Sequence, residues 1–254
     1  MSESGKTAVV TGAPGAIGRQ LVRRLAERGL NLVLVDVDGD ALDAQVAELD
    51  LPADRVLTVA ADVSREVDVQ RYVDGAVDRF GTIDLFANNA GIESPSAVIE
   101  EQSVEVFDRV FAINVRGVFL GLQHVLPVMR RQGSGAILNT ASLAGLLGSP
   151  TMAPYIMSKH AVIGLTRTAA LEVAGVGIRV NAIAPGAIDS EMMTRIDDST
   201  GDAGRTRSAN LAATPMGRYG DPAEVAAVMN FLLSDEASYV TASIYTVDGG
   251  MLGQ

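Results

Sequence analysis

The sequence predicts a doubly wound α/β domain, a seven-stranded and mostly parallel sheet with helices on both faces. Three observations predict it. Short β-branched runs recur along the 254 residues, separated by longer stretches of helical periodicity. Their cores are apolar almost throughout rather than alternating, as strands buried on both faces require. No composition break, charge block or internal repeat divides the chain, so one domain over 1–254 is expected. Alternation of this kind gives right-handed crossovers and helices that sandwich the sheet.

The elements follow in order. The candidate strands are TAVVTG (7–12), NLVLVD (31–36), RVLTVAAD (55–62), DLFANN (84–89), GAILNTAS (135–142), IRVNAIAPG (178–186) and IYTVDGG (244–250). Between them lie helical segments such as IGRQLVRRLAERG, VDVQRYVDGAVDRF and VEVFDRVFAINVRGVFLGLQHVLPVMRR. One segment breaks the rhythm: Ala187 to Gly220 is long, polar and rich in Asp, Ser, Thr, Gly and Arg. Long loops inside compact domains are commonly lids. This one leaves the C-terminal end of a strand, where α/β sheets bind ligands, so a mobile lid at about 187–220 is expected, with an inert insertion as the alternative.

Composition excludes several classes. A formal net charge of -11 is wrong for a nucleic-acid surface. The absence of cysteine removes disulfides, thiolate metal sites and thiol nucleophiles, and suits a reducing compartment. The N-terminal MSESGKTAVV lacks the long apolar core of a signal peptide, and no uninterrupted apolar run reaches membrane-spanning length. A soluble, cytoplasmic protein without a metal site is expected.

The first strand runs into TGAPGAIGRQLVRRL, where Gly12, Gly15 and Gly18 bracket a turn into a helix. Glycines there let backbone pack closely and bring helix-start N–H groups to a pyrophosphate. The spacing is not G-x-G-x-x-G, and a tight turn without ligand is the alternative. Asp36 ends the second strand 18 residues after Gly18, and Val37, not Arg, follows. A carboxylate there binds ribose hydroxyls and repels a 2′-phosphate, which points to NAD rather than NADP; capping the next helix is its other use.

Lys6 and Lys159 are the only lysines among 20 basic residues. Tyr155 and Lys159 stand four apart in an apolar helical stretch and share a face. A nearby cation favours the phenolate, which predicts a tyrosine of lowered pKa able to act as general base. Given the composition, chance would place about 0.04 such pairs in the chain.

At this point the sequence resembles the short-chain dehydrogenases/reductases of the compact type, over essentially its whole length. The matching pieces are TGAPGAIG (11–18), Asp36, Asp62-Val63, NNAG (88–91), Asn114, Ser142 within NTASLAG, YIMSK (155–159), APG (184–186) and VDGG (247–250). The resemblance implies a single Rossmann-type domain and an oxidoreductase that interconverts a secondary alcohol and a ketone with NAD. Tyr155 would be the acid/base, Ser142 the donor to the substrate oxygen, Lys159 the partner that lowers the tyrosine pKa and binds the nicotinamide ribose. Asn114, in mid-helix, would hold a water on a proton path from Lys159.

The same resemblance implies cofactor contacts at Gly12, Gly15, Ala16, Ile17 and Gly18, at Asp36, at Asp62 with Val63, and at Asn89, Ala90 and Gly91. Asn88 would brace the sheet, and Pro185, Gly186, Ile188 and Ser190 would meet the carboxamide and phosphates. Two residues depart from the family pattern: Ala16 stands where a glycine is usual and Ser190 where a threonine is usual. Ser142, Ala144, Met152, Tyr155, Glu93, Met192 and Met193 are expected to wall the substrate site. Adaptable methionines there suggest an apolar, cyclic or aromatic substrate body. Relatives are commonly homotetramers, and the tail MLGQ would reach a neighbouring subunit. Two alternatives stand beside this reading. One is a 3-oxoacyl-[acyl-carrier-protein] reductase using NADPH, disfavoured by Asp36 and by Leu171 where a basic residue would meet the carrier. The other is a nucleotide-binding protein without catalysis.

Overall fold

The computed structural model describes residues 5–253. The first four residues of the N-terminal stretch and Gln254 of the tail lie outside the described residues. The seven expected strands are β1 (Thr7–Thr11), β2 (Asn31–Asp36), β3 (Val56–Ala60), β4 (Leu85–Asn88), β5 (Gly135–Thr140), β6 (Ile178–Pro185) and β7 (Ile244–Val247). They form one sheet in the order β3-β2-β1-β4-β5-β6-β7. Every pairing is parallel, with Val9 opposite both Val33 and Phe86 at its centre. Several expected runs outlast their strands. Gly12, Asp62, Asn89, Ser142 and Gly186 have left the ladder, and each lies in a connection at the C-terminal edge of the sheet.

Nine helices were found among the described residues: α1 (Ala16–Glu27), α2 (Gly39–Glu48), α3 (Glu66–Phe80), α4 (Val104–Phe111), α5 (Gly117–Gln132), α6 (Ala153–Val173), α7 (Glu191–Ser199), α8 (Ala203–Ala213) and α9 (Pro222–Leu232). Because side chains alternate across a strand, each strand feeds two cores. Val9, Val33, Val35, Phe86, Ile137 and Val180 pack with Val69 and Tyr72 of α3, Val125 and Met129 of α5, and Val162 and Ala170 of α6. Val10, Leu32, Leu34, Leu85 and Leu138 pack on the opposite face with Leu21 and Leu25 of α1, Leu42 of α2, and Val225 and Met229 of α9.

Among the described residues one helical run, Val104–Gln132, is long and apolar enough to cross a membrane by length and composition, although charged residues such as Asp108, Arg109 and Arg116 interrupt it. Its apolar side is the inner layer of the fold: Val118, Leu122, Val125 and Met129 are buried against the sheet and its neighbouring helices. The run is not uniform. Residues Ala112–Arg116 form a π turn between α4 and α5, a widening that often marks functional positions, and Asn114 sits inside it.

Helix α9 opens with a capping box. The Asp221 carboxylate accepts from Ala223 N at 2.7 Å, and the Glu224 carboxylate accepts from Asp221 N at 2.8 Å. Asp221→Ala is expected to cost about 1 kcal/mol, a fall of about 2–4 °C in Tm by calorimetry. An unchanged Tm would show that Arg218, which also bonds Glu224, holds this helix start alone.

Candidate active site

The chain winds outward from β1 to β3, then returns to place β4 on the other side of β1. That reversal opens a crevice beyond the C-terminal ends of β1 and β4, the place where such sheets bind ligands. A cavity of about 1630 Å³ occupies it. This exceeds the usual range for a drug-sized ligand and matches a dinucleotide together with a substrate.

At one end lies the turn between β1 and α1. Gly12 has φ +65, and a Cβ on it would stand 3.0 Å from the Ala90 Cα. A Cβ on Gly18 would stand 2.2 Å from the Gly12 carbonyl oxygen and 2.8 Å from that of Ala13. The turn therefore folds back on itself so closely that backbone fills the place of a side chain. Gly12, Gly15, Ala16, Ile17 and Gly18 all line the cavity.

Three residues that the sequence did not single out hold this turn. Gln45 Nε2 donates to the Ala13 carbonyl at 3.0 Å, and Thr11 Oγ1 accepts from the N–H groups of Asn89 and Ala90. Asn89 in turn donates to the Thr11 and Gly12 carbonyls and accepts from Thr140 Oγ1 at 3.1 Å, which ties β1, β4 and β5 at their ends. Asn88 does brace the interior, donating to the Val118 carbonyl of α5 at 3.0 Å.

Further along the rim, Asp36 accepts from Asp38 N at 3.0 Å, and Val37 beside it is 74% exposed. Asp62 forms a local turn, accepting from Ser64 N at 2.9 Å and Ser64 Oγ at 2.7 Å. Both carboxylates and Val63 face the cavity, as do Ala90, Gly91, Pro185, Gly186, Ile188 and Ser190. Ser190 also caps α7 by accepting from Met193 N at 3.2 Å.

The other end is built by β5 and α6. Ser142, in extended backbone just past β5, accepts from Ala144 N at 3.2 Å. Helix α6 carries Tyr155 and Lys159 on its inner face, 9% and 4% exposed. The Lys159 ammonium donates to the Thr140 carbonyl at 2.9 Å and lies 5.5 Å from the centre of the Tyr155 ring. Gly91 comes close enough that a Cβ there would meet Lys159 Nζ at 3.4 Å and Asn114 Oδ1 at 3.2 Å.

Asn114 does not line the cavity. Its amide accepts from Ile92 N at 2.8 Å and donates to the Ile92 carbonyl at 2.8 Å and Ser158 Oγ at 3.0 Å. Ser158 in turn donates to the Tyr155 carbonyl at 2.7 Å. With both amide hydrogens engaged, the side chain clamps the loop after β4 to α6.

The electrostatics also differ from expectation. Burial pushes the Tyr155 phenol up; a side-chain hydrogen bond from Ser142 draws it back, and the Glu93 carboxylate adds to the rise. Burial lowers Lys159 to about 8. Helical spacing correctly makes the two side chains neighbours, but the cost of removing a phenolate from water exceeds the help of an ammonium shared with a carbonyl.

The segment expected to be a lid is not a loop. It folds as α7 and α8, each capped at its start: Ser190 bonds Met193 N and Asp202 bonds Arg205 N at 3.0 Å. Such N-cap residues were the available sequence signal, joined in α7 by the spacing of Met192, Met193 and Ile196, whereas α8 has no apolar stripe. Ala144, Met152, Met192 and Met193 line the cavity, whereas Glu93, expected among them, does not. Its carboxylate turns instead to Arg195 of α7. Met251 of the tail also lines this chain's own cavity.

A glycine-lined dinucleotide crevice that ends at a buried tyrosine–lysine pair defines a nicotinamide-dependent oxidoreductase of the doubly wound class. A family model described as enoyl-(acyl carrier protein) reductase matches residues 12–252. Levodione reductase of Leifsonia aquatica is 45% identical over 249 residues, 96% of this chain and 93% of its own length. Cyclohexanol dehydrogenase of Acinetobacter sp. (strain SE19) is 38% identical over 244 residues, 96% of this chain and 94% of its own. A 3-oxoacyl-[acyl-carrier-protein] reductase of Thermotoga maritima is 36% identical over 252 residues, 99% and 100%. Among solved structures, NAD+-bound xylitol dehydrogenase superposes with a TM-score of 0.93 at 38% identity, covering 98% of this chain and 100% of that one. The chain belongs to the short-chain dehydrogenase/reductase family.

Proposed function

We propose that the protein is an NAD(H)-dependent oxidoreductase that interconverts a secondary alcohol and a ketone on an apolar, cyclic body. The observation that carries this reading is the meeting of Tyr155, Ser142 and Lys159 in the same cavity that the glycine turn lines. When bound, the nicotinamide supplies a hydride acceptor or donor and, in its oxidised form, a positive charge. Gly12, Gly15 and Gly18 fit its diphosphate, Asp36 its adenosine ribose, and Lys159 its second ribose.

The chain's own residues manage the proton. Ser142 and Tyr155 share one substrate oxygen, with Ser142 donating a hydrogen bond that steadies developing negative charge. Tyr155 gives its proton to that oxygen in reduction and takes one in oxidation. Lys159, fixed by Thr140 and charged below about pH 8, holds its amino group 5.5 Å from the centre of the ring. Asn114 and Ser158 hold α6 in register with the loop after β4, so the phenol and the ammonium keep their places.

A pH dependence follows from the raised phenol. Oxidation needs the phenolate, present above the phenol's pKa, so its rate rises toward alkaline pH. Reduction needs the protonated form and falls over the same range. Initial rates in both directions check this, and an oxidation rate that peaks in mildly acid buffer would contradict it.

Two features of the structure and one relative support NAD and a cyclic substrate. Asp36 stands at the cavity rim with no arginine after it, and a like-charge contact with a 2′-phosphate costs several kcal/mol. NADH is therefore expected over NADPH by about 10²-fold or more in kcat/KM. Met152, Met192 and Met193 give the substrate end an apolar lining, and a cyclohexanol dehydrogenase is among the relatives. The rival reading, an acyl-carrier-protein reductase using NADPH, draws on the family description and the Thermotoga relative. Against it stands Leu171, 79% exposed where a basic residue would meet an acidic carrier. A panel of cyclic and open-chain secondary alcohols and a 3-oxoacyl thioester, each run with both cofactors, separates the two. NADPH-preferring reduction of the thioester would overturn the proposal.

A further inference from the structure

The lid is internally rigid. Its two ends pair at Ile188 and Gly220, with Asp189 N donating to the Gly220 carbonyl and Gly220 N to the Ala187 carbonyl, each at 2.9 Å. Inside it, the buried Asp197 carboxylate accepts from Tyr219 OH at 3.2 Å and Asn210 Nδ2 at 3.5 Å. Arg207 covers the Tyr219 ring at 4.3 Å. Helices α7 and α8 are thus fastened to one another and to the strap that returns to α9.

Across the cavity, a fork ties the lid to the loop after β4. Arg195 Nε meets Glu93 Oε1 at 2.5 Å and Arg195 Nη2 meets Oε2 at 3.4 Å, between residues 102 apart in sequence. The Glu93 side chain is only 17% exposed, unlike an ordinary surface partner. Ile92 beside it is gripped by Asn114, so the loop side of the fork is anchored to the π turn. On the lid side, Met192, Met193 and Ile196 flank Arg195 and line the cavity with it.

We propose that Glu93 and Arg195 form a clasp that sets the shut position of the lid over the substrate, which rests on the reading of this cavity as the substrate site. Glu191 of the same helix lies a further 4.0 Å from Arg195. A bidentate fork resists opening more than a single contact does, because both hydrogen bonds must break together.

Glu93→Gln and Arg195→Gln each break the fork. Amide hydrogen exchange over 191–199 in the full chain is expected to quicken by about fivefold or more in each variant. Arg195→Lys, which keeps the charge but not the fork, is expected to be intermediate. With NAD and cyclohexanol as probe, KM is expected to rise about fivefold in both Gln variants. Unchanged exchange in both Gln variants overturns the clasp. If the wild type turns over cyclohexanol and every other alcohol at background rates, the proposed activity fails, and the exchange result still judges the clasp.

Discussion

Tyr155→Phe is expected to lower kcat/KM for alcohol oxidation by about 10³-fold, the usual scale for a lost acid/base, with NAD affinity nearly unchanged. The phenol is buried, hydrogen-bonded toward Ser142 and flanked by Lys159, while the glycine turn is a separate part of the cavity lining, between β1 and α1. The ring's packing survives the substitution, so a loss of turnover cannot be blamed on a collapsed helix. NAD titration by fluorescence checks binding, and steady-state rates check the chemistry. Oxidation at the wild-type rate would remove Tyr155 from the reaction and the proposed mechanism with it.

Gly18→Ala is expected to abolish cofactor binding at practical concentrations, raising the Kd for NAD by about 10²-fold or more, the equivalent of nearly 3 kcal/mol. The added methyl would press on two backbone oxygens, those of Gly12 and Ala13, neither of which can swing aside. The turn must open, and overpacking of this kind also costs about 1–3 kcal/mol of stability. Gly15→Ala is the comparison: its Cβ would meet only the Gly12 carbonyl oxygen, at 3.3 Å. Titration calorimetry on both variants measures the contrast. Equal affinities would show that the cofactor does not depend on the close fold of this turn.

Strand positions were legible because β-branched runs such as NLVLVD are short, apolar and bounded by turn residues. The site's outline was legible for the same reason, since Gly12, Asp62, Asn89, Ser142 and Gly186 all mark where those runs stop pairing. What stayed hidden was long-range. Gln45, Thr11 and Thr140 look ordinary in sequence, and their importance comes from partners many residues away. Asn114 drew notice as a polar residue in a helix, but only the fold brings Ile92 and Ser158 to it. The rise in the Tyr155 phenol was hidden too, because spacing tells which groups are neighbours and not how much water they have lost. Helices α7 and α8 escaped notice because their segment is polar overall and α8 carries no apolar stripe, although the caps Ser190 and Asp202 and the spacing of Met192, Met193 and Ile196 betray them.

The pairing of Ile188 with Gly220 has an evolutionary consequence. A segment that departs and rejoins at adjacent points is an ear on the domain, whose length and content the sheet does not register. Such a piece can be swapped wholesale between relatives while the chemistry beneath it stays put. A chimaera carrying another member's stretch between these two residues should inherit the donor's choice of alcohol and keep the host's choice of cofactor.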